Sequence, residues 1–232
     1  MRARGCEVTL VADGKPLARQ LGDHLADIFT SAAIRRGLRV VGGGKARLVD
    51  HGAGVKVVLA NGTELEADLV VTAIGDEPNT GWLAGSNLLV DGQLRVDSRG
   101  RLRPDIVAAG DVASFPTRRG VERVPLWTSA IDQAKIAGVG LLRGDAAPEF
   151  NFQPYFWTEA FGLSLKSVGF APVLGAPDYC EPGGGAESML LRWDNADGSG
   201  TAAAINYRIP VPKLRRLADA GPAALRAAPA RA

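Results

Sequence analysis

The chain has 232 residues, 46% apolar and 22% charged, with 29 glycines and 14 prolines. That is ordinary globular composition, long enough for one or two domains. A net charge of +2 argues against a nucleic-acid partner, and no apolar run approaches the ~18 residues of a membrane span. The opening stretch MRARGCEVTLVADG lacks an apolar signal core before a small-residue cleavage site. Cys6 and Cys180 stand far apart without a CxxC, and His24 and His51 are the only histidines. No disulfide framework and no metal site are expected, and a reducing cytoplasm is the expected compartment.

Taken in chain order, Cys6–Ala12 is short, β-branched and apolar, which predicts a buried strand. Leu17, Leu21, Leu25, Ile28 and Ala32 recur at helical spacing, and Gly37 is placed to stop that helix. Leu38–Val41, Ala46–Val49 and Val55–Leu59 read as strands. Asn61-Gly62 then predicts a hairpin turn, with Glu64–Leu65 returning. Ala67–Gly75, ADLVVTAIG, is nearly all apolar, as in a strand covered on both faces of a sheet. Asp105–Asp111, DIVAAGD, predicts another short buried strand. Trp127 to Leu142 predicts a helix with small residues along one side. After a Pro/Ala/Glu-rich joint near residues 145–150 the texture turns aromatic. ESMLLRWD and TAAAINYRI read as paired strands, PKLRRLADAG as a short helix, and the Ala/Pro-rich end as a frayed tail. No internal repeat is visible.

Gly42-Gly43-Gly44 looks at first like a phosphate-binding loop. A dinucleotide loop needs G-x-G-x-x-G between a strand and a helix, so that the helix N-terminus faces the pyrophosphate. Here Lys45, Ala46 and Arg47 follow, the third glycine is absent, and the next segment predicts a strand. The triple glycine is therefore expected only to turn the chain, and Gly183–Gly185 fails the same test. EVTLVAD instead reads as the strand that follows the glycine-loop helix of such a unit.

The succession ADLVVTAIGDEPNT, DIVAAGDVASFP, VPLWTSAIDQA and PYFWTEAFGLSLKSVG resembles the FAD-dependent reductases that feed ferredoxins and rubredoxins. These are a branch of the pyridine nucleotide–disulfide oxidoreductase superfamily. The resemblance covers nearly the whole chain. It implies an α/β protein with partial Rossmann-like FAD- and NAD(P)-binding domains and a small α+β C-terminal domain. Residues 1–73 correspond to the C-terminal half of the NAD(P)-binding domain and residues 74–149 to the second segment of the FAD-binding domain. Residues 150–232 correspond to the reductase C-terminal domain. On this mapping the chain is expected to be an N-terminally incomplete reductase, lacking both glycine-rich nucleotide loops.

The same resemblance assigns roles residue by residue. Gly110 and Asp111 match the Gly-Asp motif, whose glycine admits the ligand and whose carboxylate accepts from the ribityl chain of FAD. On the residues alone, Asp111 could equally be a helix N-cap. Trp127, Thr128, Ala130 and Gln133 match a motif on a helix aimed at the flavin pyrimidine edge, where the positive helix end steadies negative charge. Core packing is the competing account of these four. Trp157 matches a tryptophan against the isoalloxazine, although aromatics are also common in cores and interfaces. No residue is singled out as catalytic.

Some positions depart from the family pattern. Pro125 stands where a glutamate near the nicotinamide is usual. Ala12 with Asp13 stands where a strand usually ends in glutamate, which leaves NADH or NADPH open. Glu159 and Ala160 replace an Asp-Gln pair. The implied cofactors are FAD and NAD(P)H, and the implied partner is an iron–sulfur protein of the ferredoxin or rubredoxin type. Arg118, Arg119, Arg123 and Lys166 are candidates for a basic docking face. The alternatives are another flavin-dependent branch (nitrite reductase, disulfide reductase or NADH oxidase type) and a non-enzymatic remnant.

Overall fold

The computed structural model describes residues 5–52, 54–196 and 198–226. They form two compact units. The first comprises the described residues up to Ile74, together with Thr158–Leu165 and the described residues from Phe170 on. The second comprises Gly75–Trp157 and Lys166–Gly169.

The first unit opens with β1 (Thr9–Ala12), α1 (Ala18–Leu21), α2 (Asp23–Arg35) and β2 (Arg39–Gly42). β1 and β2 pair in parallel, Thr9 opposite Arg39, with the helices as the crossover that a parallel pair requires. Where the leucine spacing predicts one helix from Leu17, the chain breaks at Gly22. There φ is +87°, and a side chain would place its Cβ 2.0 Å from the Val173 carbonyl oxygen. The Val173 N–H donates to the Leu21 carbonyl at 3.2 Å, so the break seats the 170s loop on the helix pair. α2 turns Leu25, Ala26, Phe29, Ala32 and Ala33 inward and stops before Gly37, as expected.

β3 (Ala46–His51), β4 (Gly54–Leu59) and β5 (Glu64–Ala67) form an antiparallel sheet in chain order. Its second turn carries Asn61-Gly62, where the Asn61 side chain accepts from the Thr63 N–H at 3.0 Å. Gly42–Gly44 joins β2 directly to β3 with no helix after it, as its sequence context predicts.

Ala67–Gly75 is not the buried strand that its apolar run predicts. Only Ala67 belongs to a strand, and Leu69, Val71 and Ile74 are exposed by 72, 66 and 95%. A doubly covered strand needs hydrogen-bonded neighbours and a layer on each face, and among the described residues no strand pairs with this segment.

The second unit holds β6 (Leu94–Arg95), β7 (Arg101–Arg103), β8 (Ile106–Val107), β9 (Ala113–Thr117), β10 (Gly120–Arg123) and α3 (Trp127–Arg143). β9 lies between β10 and β6. Val96, Ala113 and Phe115 are its buried centre, with Leu102, Ala108 and Phe150 packed against them. The predicted strand Asp105–Asp111 shrinks to Ile106–Val107, because only those residues find a partner, in β7. A helix does not follow Asp111: the Ala113 N–H donates to the Gly110 carbonyl at 3.0 Å, and β9 begins. The N-cap account of Asp111 is thereby excluded.

The remaining elements are β11 (Tyr155–Ala160), β12 (Leu163–Val168), β13 (Tyr179–Pro182), β14 (Met189–Asp194), β15 (Gly200–Ile205), α4 (Val211–Ala220) and α5 (Ala223–Arg226). The strands form a sheet in the order β11-β12-β15-β14-β13. β14 and β15 pair antiparallel, as their sequences predict, and every residue of β15 is buried. α4 covers β15 with Leu214, Leu217 and Ala218. The Arg192 guanidinium, buried beneath, donates from Nε to the Leu217 carbonyl at 2.7 Å and from Nη2 to that of Ala218 at 3.4 Å. It thus adds a second donor to the Leu217 carbonyl, which also accepts from the Gly221 N–H at 3.0 Å, and reaches the Ala218 carbonyl in the last turn of the helix. Among the described residues no helix is long and apolar enough to cross a membrane.

Candidate functional site

All seven residues assigned to cofactor binding lie in the second unit. They start from a turn. Gly110 has φ +80°, in the left-handed region, and the space beside it is open: an added Cβ would meet only the Ala130 Cβ, at 3.6 Å. The glycine is thus required by backbone shape rather than by crowding. Its N–H donates to Gln133 Oε1 at 2.8 Å. Gly110, Ala130 and Gln133 are therefore brought together, although 23 residues separate the first from the last.

Asp111 follows with its side chain exposed. Its carbonyl accepts from Arg123 Nη1 at 3.2 Å. The same guanidinium pairs with the Asp76 carboxylate and donates to the Asp76 carbonyl at 3.3 Å. Arg123 therefore ties the IGDEPN segment to the Gly110–Asp111 turn.

α3 begins at Trp127, after Leu126 in extended conformation, with no side-chain cap and no acidic residue in its first turn. The first intrahelical bond runs from the Ala130 N–H to the Leu126 carbonyl at 2.9 Å. The N–H groups of Trp127, Thr128 and Ser129 precede it and point out of the helix end, where the macrodipole is positive. Such an end favours a carbonyl or anionic group.

Thr128 donates its hydroxyl to the Tyr155 carbonyl at the start of β11, two residues before Trp157. The Trp127 side chain is 73% exposed and that of Trp157 50%, so core packing does not explain either. Gln133 is the opposite case: it is 1% exposed, and packing remains an account of it alongside its bond to Gly110. Ser129 Oγ and Gln133 Nε2 are buried with no hydrogen-bond partner.

The candidate docking cations fare unevenly. Arg123 is half-buried and committed to Asp76, and Arg119 pairs with Glu122 at 3.1 Å. Arg118 is exposed beside Arg119 in the β9–β10 hairpin, and Lys166 is half-buried in β12. Asp76, which sequence reasoning did not single out, and Arg123, taken for a docking cation, emerge as organisers of the turn. Their only sequence signal was an acid and a base 47 residues apart. An open concavity of about 680 Å³ in the first unit, lined by Gly184, Glu187, Ser188, Asn206 and Arg208 among others, contains none of the expected residues.

Residues 1–134, more than half of the chain, match the sequence model of the pyridine nucleotide-disulphide oxidoreductases. The chain belongs to that family. Among its relatives, rhodocoxin reductase of Rhodococcus erythropolis is 31% identical over 175 residues, covering 72% of this chain and 40% of that protein. Monodehydroascorbate reductase of Solanum lycopersicum is 29% identical over 179 residues, covering 73% of this chain and 41% of that protein. Among solved structures, the ferredoxin reductase for the CYP199A2 system of Rhodopseudomonas palustris superposes with a TM-score of 0.75 at 28% identity. It covers 89% of this chain and 52% of that one. The α/β organisation expected from the sequence is that of this family. The chain spans about two fifths of the length of the curated relatives named here.

Proposed function

We propose that this chain is part of an FAD-dependent oxidoreductase that passes electrons from NAD(P)H to an iron–sulfur protein of the ferredoxin or rubredoxin type. The observation that carries the reading is the assembly around α3. An exposed carboxylate stands on a left-handed glycine turn, an uncapped helix N-terminus opening with the exposed Trp127 lies in the same unit, and the exposed Trp157 follows by two residues the Tyr155 carbonyl that Thr128 bonds. The residues fit the ribityl and ring end of FAD. Gly110 leaves open space beside its backbone, Asp111 offers an unburied acceptor for hydroxyls, and the first N–H groups of α3 suit the carbonyl edge of the ring. No G-x-G-x-x-G occurs in the sequence for the pyrophosphate. The bound flavin would supply the two-electron to one-electron conversion. The chain's own residues bind it, orient it and, through Trp127 and Trp157, shape access to its ring.

The division into 1–73, 74–149 and 150–232 belongs to the same proposal, as does a cytoplasmic setting. The iron–sulfur acceptor is supported by relatives whose names include rhodocoxin reductase and a ferredoxin–NAD(+) reductase component. A second reading, a small organic acceptor, is favoured by the monodehydroascorbate reductase relative at 29% identity and by the pairing of Arg119 and Arg123 with acids.

The test is a flavin titration of the purified chain, followed by steady-state reduction of a rubredoxin, a ferredoxin and a small quinone with NADH and NADPH. With no glycine loop for the pyrophosphate, FAD is expected to bind weakly and to be lost on gel filtration. Asp111→Ala should weaken that binding by roughly tenfold or more, the weight of a hydrogen bond to a charged acceptor. Flavin affinity that ignores this substitution would count against the reading. Turnover of the quinone alone would replace the iron–sulfur acceptor by the small-molecule one.

A further inference from the structure

We infer that Gln133 is a positioning residue: it holds the Gly110–Asp111 turn in the shape that presents the Asp111 carboxylate to a polyhydroxylated ligand chain. This rests on the reading of Asp111 as a flavin-binding residue, but the clamp itself does not require the flavin.

Three main-chain atoms of the turn are fixed. The Gly110 N–H is held by Gln133 Oε1 at 2.8 Å. The Gly110 carbonyl is held by the Ala113 N–H at 3.0 Å, and the Asp111 carbonyl by Arg123 at 3.2 Å. Two of the three holders are side chains from distant elements. The Asp111 side chain is exposed on this fixed frame, so the position of its backbone, from which the carboxylate reaches, is set before any ligand arrives. Pre-set geometry of this kind lowers the ordering cost of binding.

Gln133 is ill-suited to packing alone. Its side chain is 1% exposed, yet Nε2 has no partner among the described residues. A buried donor without an acceptor costs free energy that a methionine or leucine of similar size would avoid. A residue that served only to fill the α3 interface would be apolar here. What the glutamine adds is one acceptor, and that acceptor is spent on Gly110. The left-handed turn needs it, since a left-handed residue outside a helix or sheet ladder has no other fixed partner for its N–H.

The experiment compares Gln133→Met, which keeps the volume and removes the acceptor, with Gln133→Glu, which keeps an acceptor and protonates readily when buried. Amide hydrogen exchange at Gly110 is measured in the chain without cofactor. Exchange is expected to speed up roughly tenfold or more in Gln133→Met and to stay near wild type in Gln133→Glu. Because methionine keeps the volume and removes the orphaned donor, a purely packing role would leave both the melting temperature and the protection of Gly110 undiminished. Unchanged Gly110 exchange in Gln133→Met overturns the inference. So does a loss of protection spread evenly over α3 and β9.

A second arm titrates FAD into wild type, Gln133→Met, Asp111→Asn and the double variant. Gln133→Met should weaken FAD roughly tenfold alone and add little in the Asp111→Asn background, since both act through one carboxylate. Equal losses in both backgrounds overturn the positioning role. If no variant, wild type included, takes FAD while Gly110 exchange responds as expected, the flavin reading fails and the clamp stands.

Discussion

The Thr128 hydroxyl donates to the Tyr155 carbonyl, joining the first turn of α3 to the first residue of β11. Trp127 precedes the donor by one residue and Trp157 follows the acceptor by two, so one hydrogen bond links the two segments that carry the exposed indoles. Thr128→Val keeps the shape and removes the donor. It should cost about 1 kcal/mol and shift tryptophan fluorescence, whereas Thr128→Ser should keep both near wild type. A Thr128→Val protein with unaltered emission would show that the indoles are held by other contacts.

Gly22 divides what the leucine spacing predicts as a single helix. Its φ of +87° with ψ 162° is open essentially to glycine alone, and any Cβ would collide with the Val173 carbonyl. Gly22→Ala should therefore lower stability by about 3 kcal/mol, combining backbone strain with displacement of the 170s loop. Chemical denaturation measures it. Gly14, where an added Cβ meets nothing within 4 Å and φ is not left-handed, is the control: Gly14→Ala should be nearly neutral.

Much of this fold was legible because local pattern and tertiary context agreed. The neighbouring stretches ESMLLRWD and TAAAINYRI, which became β14 and β15, carry their own partners, and the Asn61-Gly62 turn is a short-range signal. α3, read from the small residues along one side as Trp127 to Leu142, runs one residue further, to Arg143. Ala67–Gly75 was misread for the converse reason: an apolar run marks a buried strand only if something covers it, and sequence does not say what. The alternative account of Asp111 as a helix N-cap failed because a turn bond from the Ala113 N–H to the Gly110 carbonyl leads into β9 instead. In the candidate site, Gly110, Asp111 and the start of α3 were singled out through motif resemblance. The Arg123–Asp76 tie and the Gln133–Gly110 bond were not, since they join residues far apart whose types are common everywhere.

Arg192 is buried at 6% exposure between β14 and the end of α4. Burial pulls its guanidinium below the usual arginine range, and Asp178 opposes this; the group nonetheless stays charged at neutral pH. Arg192→Met removes the guanidinium donors to the Leu217 and Ala218 carbonyls; Leu217 keeps its bond from the Gly221 N–H, while Ala218 is left facing an apolar chain. A loss of about 2–3 kcal/mol is expected. Arg192→Lys should not restore it, since a lysine has no Nε donor in that position and its ammonium is a compact point charge. Thermal unfolding of the three proteins decides; a lysine variant as stable as wild type would mean that only the charge at the helix end matters.

Asp97 gives a pH test. Burial pushes its carboxyl up, but the Arg101 and Arg99 N–H groups, at 2.9 and 2.8 Å, and the Arg101 side chain pull harder, so the net shift is downward from the ordinary value of 3.8. A carboxyl whose folded value is depressed contributes stability that is fully present above its unfolded value. That contribution fades as pH falls through the folded value. The difference in melting temperature between wild type and Asp97→Asn should therefore be constant from neutral pH down to about 5 and shrink below 3.8. The asparagine keeps one carbonyl for the turn but loses the ion pair with Arg101. Because the Asp97 side chain is 38% exposed, solvent and salt screen that pair, and the difference should narrow in high salt at pH 7. A gap that instead widened on acidification would mean that the carboxyl is held up by burial, with the turn N–H groups contributing little.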